Sequence, residues 1–217
     1  MKKTWVQAAV DVTDYAAAEK ITKMAVECGA EWIEVGHPLL TLYGLEAIEK
    51  IKKFADGRAK IVADFKTETC GDYMKEIAAA GADIAIIEAA YADFLIKAAL
   101  ENGEKYGVLP VFFVNTRYDM IPERAKEVAD MGAKYFFLHR RSRCVINGEE
   151  RVFDHIKKVK EETGAVIGVS SDDFNDALSA IDEGADWITF GRVLKEPDEE
   201  VCRRWIEGIT GHTPNPI

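Results

Sequence analysis

Four stretches of this chain repeat one pattern, a helical run that ends in Gly-Ala and passes into an apolar segment: ECGAEWIEV, AAGADIAII, DMGAKYFFL and DEGADWITF. Their glycines, Gly29, Gly81, Gly132 and Gly184, stand 52, 51 and 52 residues apart. Self-similarity at a fixed period marks a repeated supersecondary unit. Glycine suits the residue after a helix, where the backbone turns left-handed, and the small Ala lets the incoming strand pack close. One strand therefore starts at each repeat. Halfway between lie four more apolar runs, residues 5–12, 59–66, 108–115 and 165–171, near-continuous as expected of parallel strands covered on both faces.

Between these strands apolar residues recur at three- and four-residue steps, as in DYAAAEKITKMAVEC, GLEAIEKIKKFA, ADFLIKAALENGEKY, IPERAKEVADM and DDFNDALSAIDE. That is helix periodicity. Eight strands alternating with eight helices in four equal quarters predict an α/β chain folded as a single closed (β/α)8 barrel, the alternative being an open doubly wound sheet. No linker rich in Pro, Gly or Ser divides the chain, so residues 1–210 read as one catalytic domain and 211–217, GHTPNPI, as a C-terminal tail.

The formal net charge of -10 argues against a nucleic-acid or anionic-membrane partner, since a polyphosphate needs a basic footprint. An anionic ligand must meet a local basic cluster instead. The opening MKKTWVQAAVDVTD reaches charge too soon for a secretory signal, and no run approaches membrane-spanning length. Cys28, Cys70, Cys144 and Cys202 form no Cys-x-x-Cys pair, which argues against a zinc knuckle or disulfide framework and for a reduced, cytoplasmic setting.

In barrels of this kind the chemistry sits at the C-terminal ends of the strands. In chain order those positions hold Asp11; Glu34 and His37; Asp64 and Lys66; Glu88; Asn115; His139 followed by Arg140, Arg141 and Arg143; Ser170 and Ser171; and Gly191 with Arg192. Strand alternation puts Asp64 and Lys66 on one side. Glu34 and Asp64, on neighbouring strands, are placed to share a Mg2+ ion, with Lys66 held charged beside them to donate a proton or hold an oxyanion. The other reading is a salt-bridge network that seals the barrel mouth. Loops after strands seven and eight often bind phosphate through backbone N–H groups, which Arg192 would reinforce, unless Arg192 caps a helix or pairs with Glu196. The arginines after His139 either hold a substrate carboxylate or phosphate, Arg143 among them, or form a solvated basic loop. Cys70 is either a reactive thiol or a small packing residue.

Together QAAVD, WIEVGHPLL, IVADFK, GADIAII, the His closing the sixth strand and ADWITFGR resemble the orotidine 5'-monophosphate decarboxylase superfamily. Within it they are most similar to the branch of 3-hexulose-6-phosphate synthase and 3-keto-L-gulonate-6-phosphate decarboxylase, over nearly all of residues 4–208. The resemblance implies a homodimer with active sites at the interface and a Mg2+-dependent lyase acting on a phosphorylated ketose through an enediolate. By position it implies Glu34 and Asp64 as metal ligands and Lys66 beside the enediolate oxygen. Asp11 would bind a substrate hydroxyl and orient Lys66, and His139 would shuttle a proton. Gly191 and Arg192, with the strand-seven loop at Ser170 and Ser171, would bind phosphate.

The chain departs from the family pattern in two places. The signature D-x-K-x-x-D continues here to Thr69, with Glu68 one position early, and the strand-seven Gly-Gly reads Ser170-Ser171. GHPLL resembles the synthase, whereas LHRRSR looks more like the decarboxylase with one extra Arg. Aldol chemistry joining formaldehyde and ribulose 5-phosphate is the first expectation and 3-keto-L-gulonate-6-phosphate decarboxylation the second. A sugar-phosphate isomerase or epimerase, and a non-catalytic sugar-phosphate-binding barrel, are the alternatives from other classes.

Overall fold

A computed structural model describes residues 3–114, 118–139 and 155–214, apart from the side chains of Glu68, Thr69, Tyr118 and His139. Its strands are β1 (Trp5–Val10), β2 (Trp32–Val35), β3 (Lys60–Ala63), β4 (Ile84–Glu88), β5 (Leu109–Phe113), β6 (Tyr135–His139), β7 (Val166–Ser170) and β8 (Trp187–Phe190). They close in chain order into a parallel barrel, β1 pairing with both β2 and β8. The predicted (β/α)8 barrel is the fold, and an open sheet is excluded by that closure.

The helices are α1 (Tyr15–Glu27), α2 (His37–Tyr43), α3 (Leu45–Ala55), α4 (Met74–Ala79), α5 (Asp93–Tyr106), α6 (Ile121–Asp130), α7 (Ile156–Thr163), α8 (Phe174–Asp182) and α9 (Glu199–Gly211). The β2–β3 connection, read as one helix, is two. They meet at Gly44, whose φ of 58° and ψ of -136° only glycine adopts readily. The barrel also runs past residue 210, since α9 ends at Gly211 and His212 Nε2 lies 2.9 Å from Asp182 Oδ1.

The four repeat glycines share one geometry, with φ of 101°, 102°, 113° and 105°. In each quarter the alanine after the glycine donates its N–H to the carbonyl five residues back, at 2.9 Å (Ala30 to Ala25), 3.2 Å (Ala82 to Ile77), 3.3 Å (Ala133 to Val128) and 2.9 Å (Ala185 to Ala180). This is the Schellman closure of a helix C-terminus. The acid that follows in three quarters staples the barrel's N-terminal end. Asp83 Oδ2 accepts the Ile61 N–H at 2.8 Å, Asp186 Oδ2 the Ile167 N–H at 2.8 Å, and Glu31 Oε2 the Val6 N–H at 3.0 Å. Lys52 and Lys160 neutralise the two aspartates at 2.9 Å.

Alternation along the strands divides the apolar residues into two clusters. One packs strands against helices. The other fills the barrel and contains Trp32, Val62, Ile84, Ile86, Val111, Phe113, Phe137 and Trp187. Its centre is aromatic: Trp187 lies 5.3 Å from the Trp32 ring and 6.2 Å, nearly parallel, from Phe137. Gly168 makes room for it, because a Cβ there would fall 1.7 Å from Trp187 Cε2. The residues two positions beyond Trp32 and Val62 are Glu34 and Asp64, so the same alternation that buries the aromatic floor lifts carboxylates above it.

Candidate active site

At the C-terminal mouth of the barrel a cavity of about 270 Å3 is lined by Ala9, Asp11, Glu34, His37, Asp64, Lys66, Phe137, Ser170, Asp172, Thr189, Gly191, Arg192 and Lys195. Seven sequence-predicted site residues, Asp11, Glu34, Asp64, Lys66, Ser170, Gly191 and Arg192, converge there from the ends of five strands.

Asp64 and Lys66 leave β3 where its ladder stops. Lys66 Nζ donates to Asp64 Oδ2 at 2.7 Å and stands 5.2 Å from the centre of the Phe113 ring. The Lys66 backbone has φ of 49°, a left-handed conformation costly for a residue with a Cβ, and its N–H donates to Ile86 O at 3.1 Å. Strain of this kind persists only where surrounding contacts hold it. Burial works against the Lys66 charge, but Asp64, Glu34 and Asp11 outweigh it and leave its pKa above that of an ordinary lysine. The ammonium is charged at neutral pH.

Glu34 is buried, and Gln7 Nε2, on the neighbouring strand, donates to its Oε2. Burial first and Asp64 next hold its carboxyl well above the usual carboxylate range, against the pull of Lys66. The buried Asp64 Oδ1 has no hydrogen-bond partner among the described residues. An orphaned carboxylate oxygen beside a second buried carboxylate is what a hard divalent cation would satisfy, so these two side chains fit Mg2+ with substrate and water completing its shell. Among the described residues no group of three or more His, Cys, Asp or Glu forms a fuller metal cage.

Asp11 fits between two glycines. A Cβ on Gly36 would lie 2.2 Å from Asp11 Oδ1, and one on Gly191 would lie 3.1 Å from Oδ2. Glycine on both flanking strands is therefore what admits this carboxylate to the mouth. Burial, then Asp64, raise the Asp11 pKa, while Lys66 and Lys195 lower it.

Other expectations are placed differently. Ser171 does not line the cavity; its hydroxyl donates to Asp173 O at 3.0 Å and accepts from Asp173 N at 3.2 Å, and its own N–H goes to Thr189 O. Local turn geometry consumes it. Of the two readings of Cys70, the structure matches the packing residue: it is buried, its thiol pushed up to about 12 by burial and Asp64. His139 closes β6 opposite Ser170, with its side chain outside the described residues. Asn115, Arg140, Arg141 and Arg143 lie wholly outside them, as do the side chains of Glu68 and Thr69.

Sequence reasoning passed over Gln7, Asp172, Thr189 and Lys195. Gln7 was accessible from the alternation Trp5, Gln7, Ala9, Asp11, which sends every second residue of β1 inward. Asp172 carried the same signal, two positions past Ser170. Lys195 carried none, since it follows the short turn Arg192–Leu194.

A family model described as "Orotidine 5'-phosphate decarboxylase / HUMPS family" matches residues 4–203. The 3-hexulose-6-phosphate synthase of Staphylococcus epidermidis is 28% identical over 214 residues, covering 93% of this chain and 98% of that protein. Among solved structures, 3-hexulose-6-phosphate synthase from Salmonella typhimurium superposes with a TM-score of 0.84 at 22% identity, covering 98% of this chain and 100% of that one. The 3-keto-L-gulonate-6-phosphate decarboxylase of Vibrio cholerae does so at 0.82 and 20%, with the same coverage. At these identities the two structures show a common fold.

Proposed function

Because the chain belongs to the orotidine 5'-phosphate decarboxylase / HUMPS family, we propose that it is a carbon–carbon lyase acting on a phosphorylated ketose, in the manner of 3-hexulose-6-phosphate synthase. The observation that carries this reading is the charged Lys66 held at 2.7 Å by Asp64, in one cavity with Glu34, Asp11 and the Gly191–Arg192 loop. Relatives over nearly the full length named as the synthase support aldol chemistry ahead of decarboxylation.

In the proposed reaction ribulose 5-phosphate loses a proton from C1, and the resulting enediolate carbon forms a bond to formaldehyde, whose oxygen takes up a proton. Glu34 and Asp64 would hold Mg2+, which when bound would supply Lewis-acid charge to stabilise the enediolate. Lys66 donates a hydrogen bond to the oxygen on which negative charge develops. Its charge is fixed in advance by Asp64, so no reorganisation is needed as the enediolate forms. Asp11, held between Gly36 and Gly191, accepts from a substrate hydroxyl and orients the ammonium. His139 is assigned the proton shuttle. Gly191, Arg192 and Ser170 face the phosphate, with Arg143 assigned to the same end.

A homodimer is proposed on the exposed apolar residues Leu42, Tyr43, Leu45 and Tyr73, of which Leu45 and Tyr73 line a mostly apolar cavity beside Cys70. No described helix is long and apolar enough to cross a membrane. A cytoplasmic location is proposed on the free thiols of Cys28, Cys70 and Cys202.

Formaldehyde consumption with ribulose 5-phosphate, measured with Mg2+ and with EDTA, tests the reading. Metal-dependent consumption supports it. Release of carbon dioxide from 3-keto-L-gulonate 6-phosphate in its place would select the decarboxylase, and solvent-deuterium exchange without cleavage the isomerase.

A further inference from the structure

The backbone N–H groups at the end of β8 already hold an anion, and it belongs to the chain. Asp172 Oδ1 accepts from Gly191 N at 3.1 Å and from Arg192 N at 2.7 Å, and its Oδ2 lies 3.7 Å from Arg192 Nε. One carboxylate oxygen thus takes both amides, and the other faces the guanidinium. A phosphoryl group cannot use these donors while Asp172 occupies them. A phosphate dianion brought beside the carboxylate would also be repelled by it.

We propose that Asp172 is an internal competitor for the phosphate cradle that lowers the affinity of every phosphate ligand alike, so that a ligand must be anchored at both ends of the cavity to displace it at low concentration. This deepens the proposed function and rests on its phosphate assignment. Free phosphate must break two charge-assisted hydrogen bonds and an ion pair with only the cradle's own donors and cations to offset the loss. A sugar phosphate held at its other end by Glu34, Asp64 and Lys66 brings that extra binding energy. Asp172 has a way out, its side chain being 29% exposed, and Lys195 lines the same cavity as a second cation for the incoming phosphate.

Isothermal titration of the intact protein with inorganic phosphate and with ribulose 5-phosphate separates the possibilities. Asp172→Ala, which removes the competitor, is expected to bind both ligands at least tenfold more tightly than wild type and by the same factor. Asp172→Asn, which keeps the acceptor and removes the charge, is expected to gain at least threefold; it carries the test if circular dichroism shows the alanine variant unfolded. Unchanged or weakened affinity in folded variants overturns the role of Asp172 and leaves the phosphate assignment standing. If neither ligand binds wild type or either variant, the phosphate assignment itself fails and the competitor role with it.

Discussion

Lys66 Nζ lies 2.7 Å from Asp64 Oδ2 on a backbone turned to φ of 49°, so the ammonium that faces the cavity is positioned by a conformation that disfavours lysine. Lys66→Ala and Lys66→Gly both remove the charge and are expected to lower kcat/KM by at least about 100-fold. They separate in stability. Glycine tolerates the left-handed backbone and should be more stable than alanine by about 1 kcal/mol in urea melts. Equal stabilities would mean that the backbone there stores no strain.

Glu34 supplies a pH dependence whose sign is fixed. An unfolded glutamate titrates near about 4.3, while burial and Asp64 hold the folded carboxyl well above that range. Between the two values the folded state binds the extra proton, so stability is greatest below the unfolded pKa and falls as pH rises toward the folded one. The Tm of metal-free wild type is expected to drop from pH 5 to pH 8 relative to Glu34→Gln. Parallel profiles would rule out Glu34 as the source.

The orphaned Asp64 Oδ1 makes metal binding visible without turnover. Mg2+ at about 100 times its Kd should stabilise the protein by about 2.7 kcal/mol over EDTA-treated protein in thermal unfolding. Asp64→Asn should abolish most of that shift. A shift that survives the substitution would locate the ion elsewhere.

Gly36 is where the chain admits Asp11. In Gly36→Ala the new Cβ meets Asp11 Oδ1 at 2.2 Å and the Val10 carbonyl oxygen at 2.7 Å, so the carboxylate must move. The expected result is a loss of about 1–3 kcal/mol in stability and at least about tenfold in kcat/KM. Wild-type kinetics in this variant would show that the position of Asp11 does not matter to turnover.

Gly168 tests the barrel floor rather than the site. A methyl group 1.7 Å from Trp187 Cε2 has no side-chain tip to push aside, only a ring locked among Trp32 and Phe137. Gly168→Ala is expected to lose about 3 kcal/mol or more, beyond the range of milder overpacking. A wild-type melting curve would mean that the aromatic layer yields easily.

The sequence determined the barrel and the depth of its chemistry. A helix that ends in Gly-Ala closes the same way wherever it occurs, since the constraint is local backbone sterics, so the four glycines announced four equal quarters. Strand alternation is equally local, and it carried Glu34 and Asp64 above Trp32 and Val62. What only the tertiary structure decided is who meets whom across the mouth. Ser171 turned to its own loop, Gln7 reached Glu34 from the next strand, and Asp172 took the donors of Gly191 and Arg192. Those partners lie up to 27 residues apart, and a pairing at that range is set by barrel closure and shared packing, which leave no periodic trace along the chain.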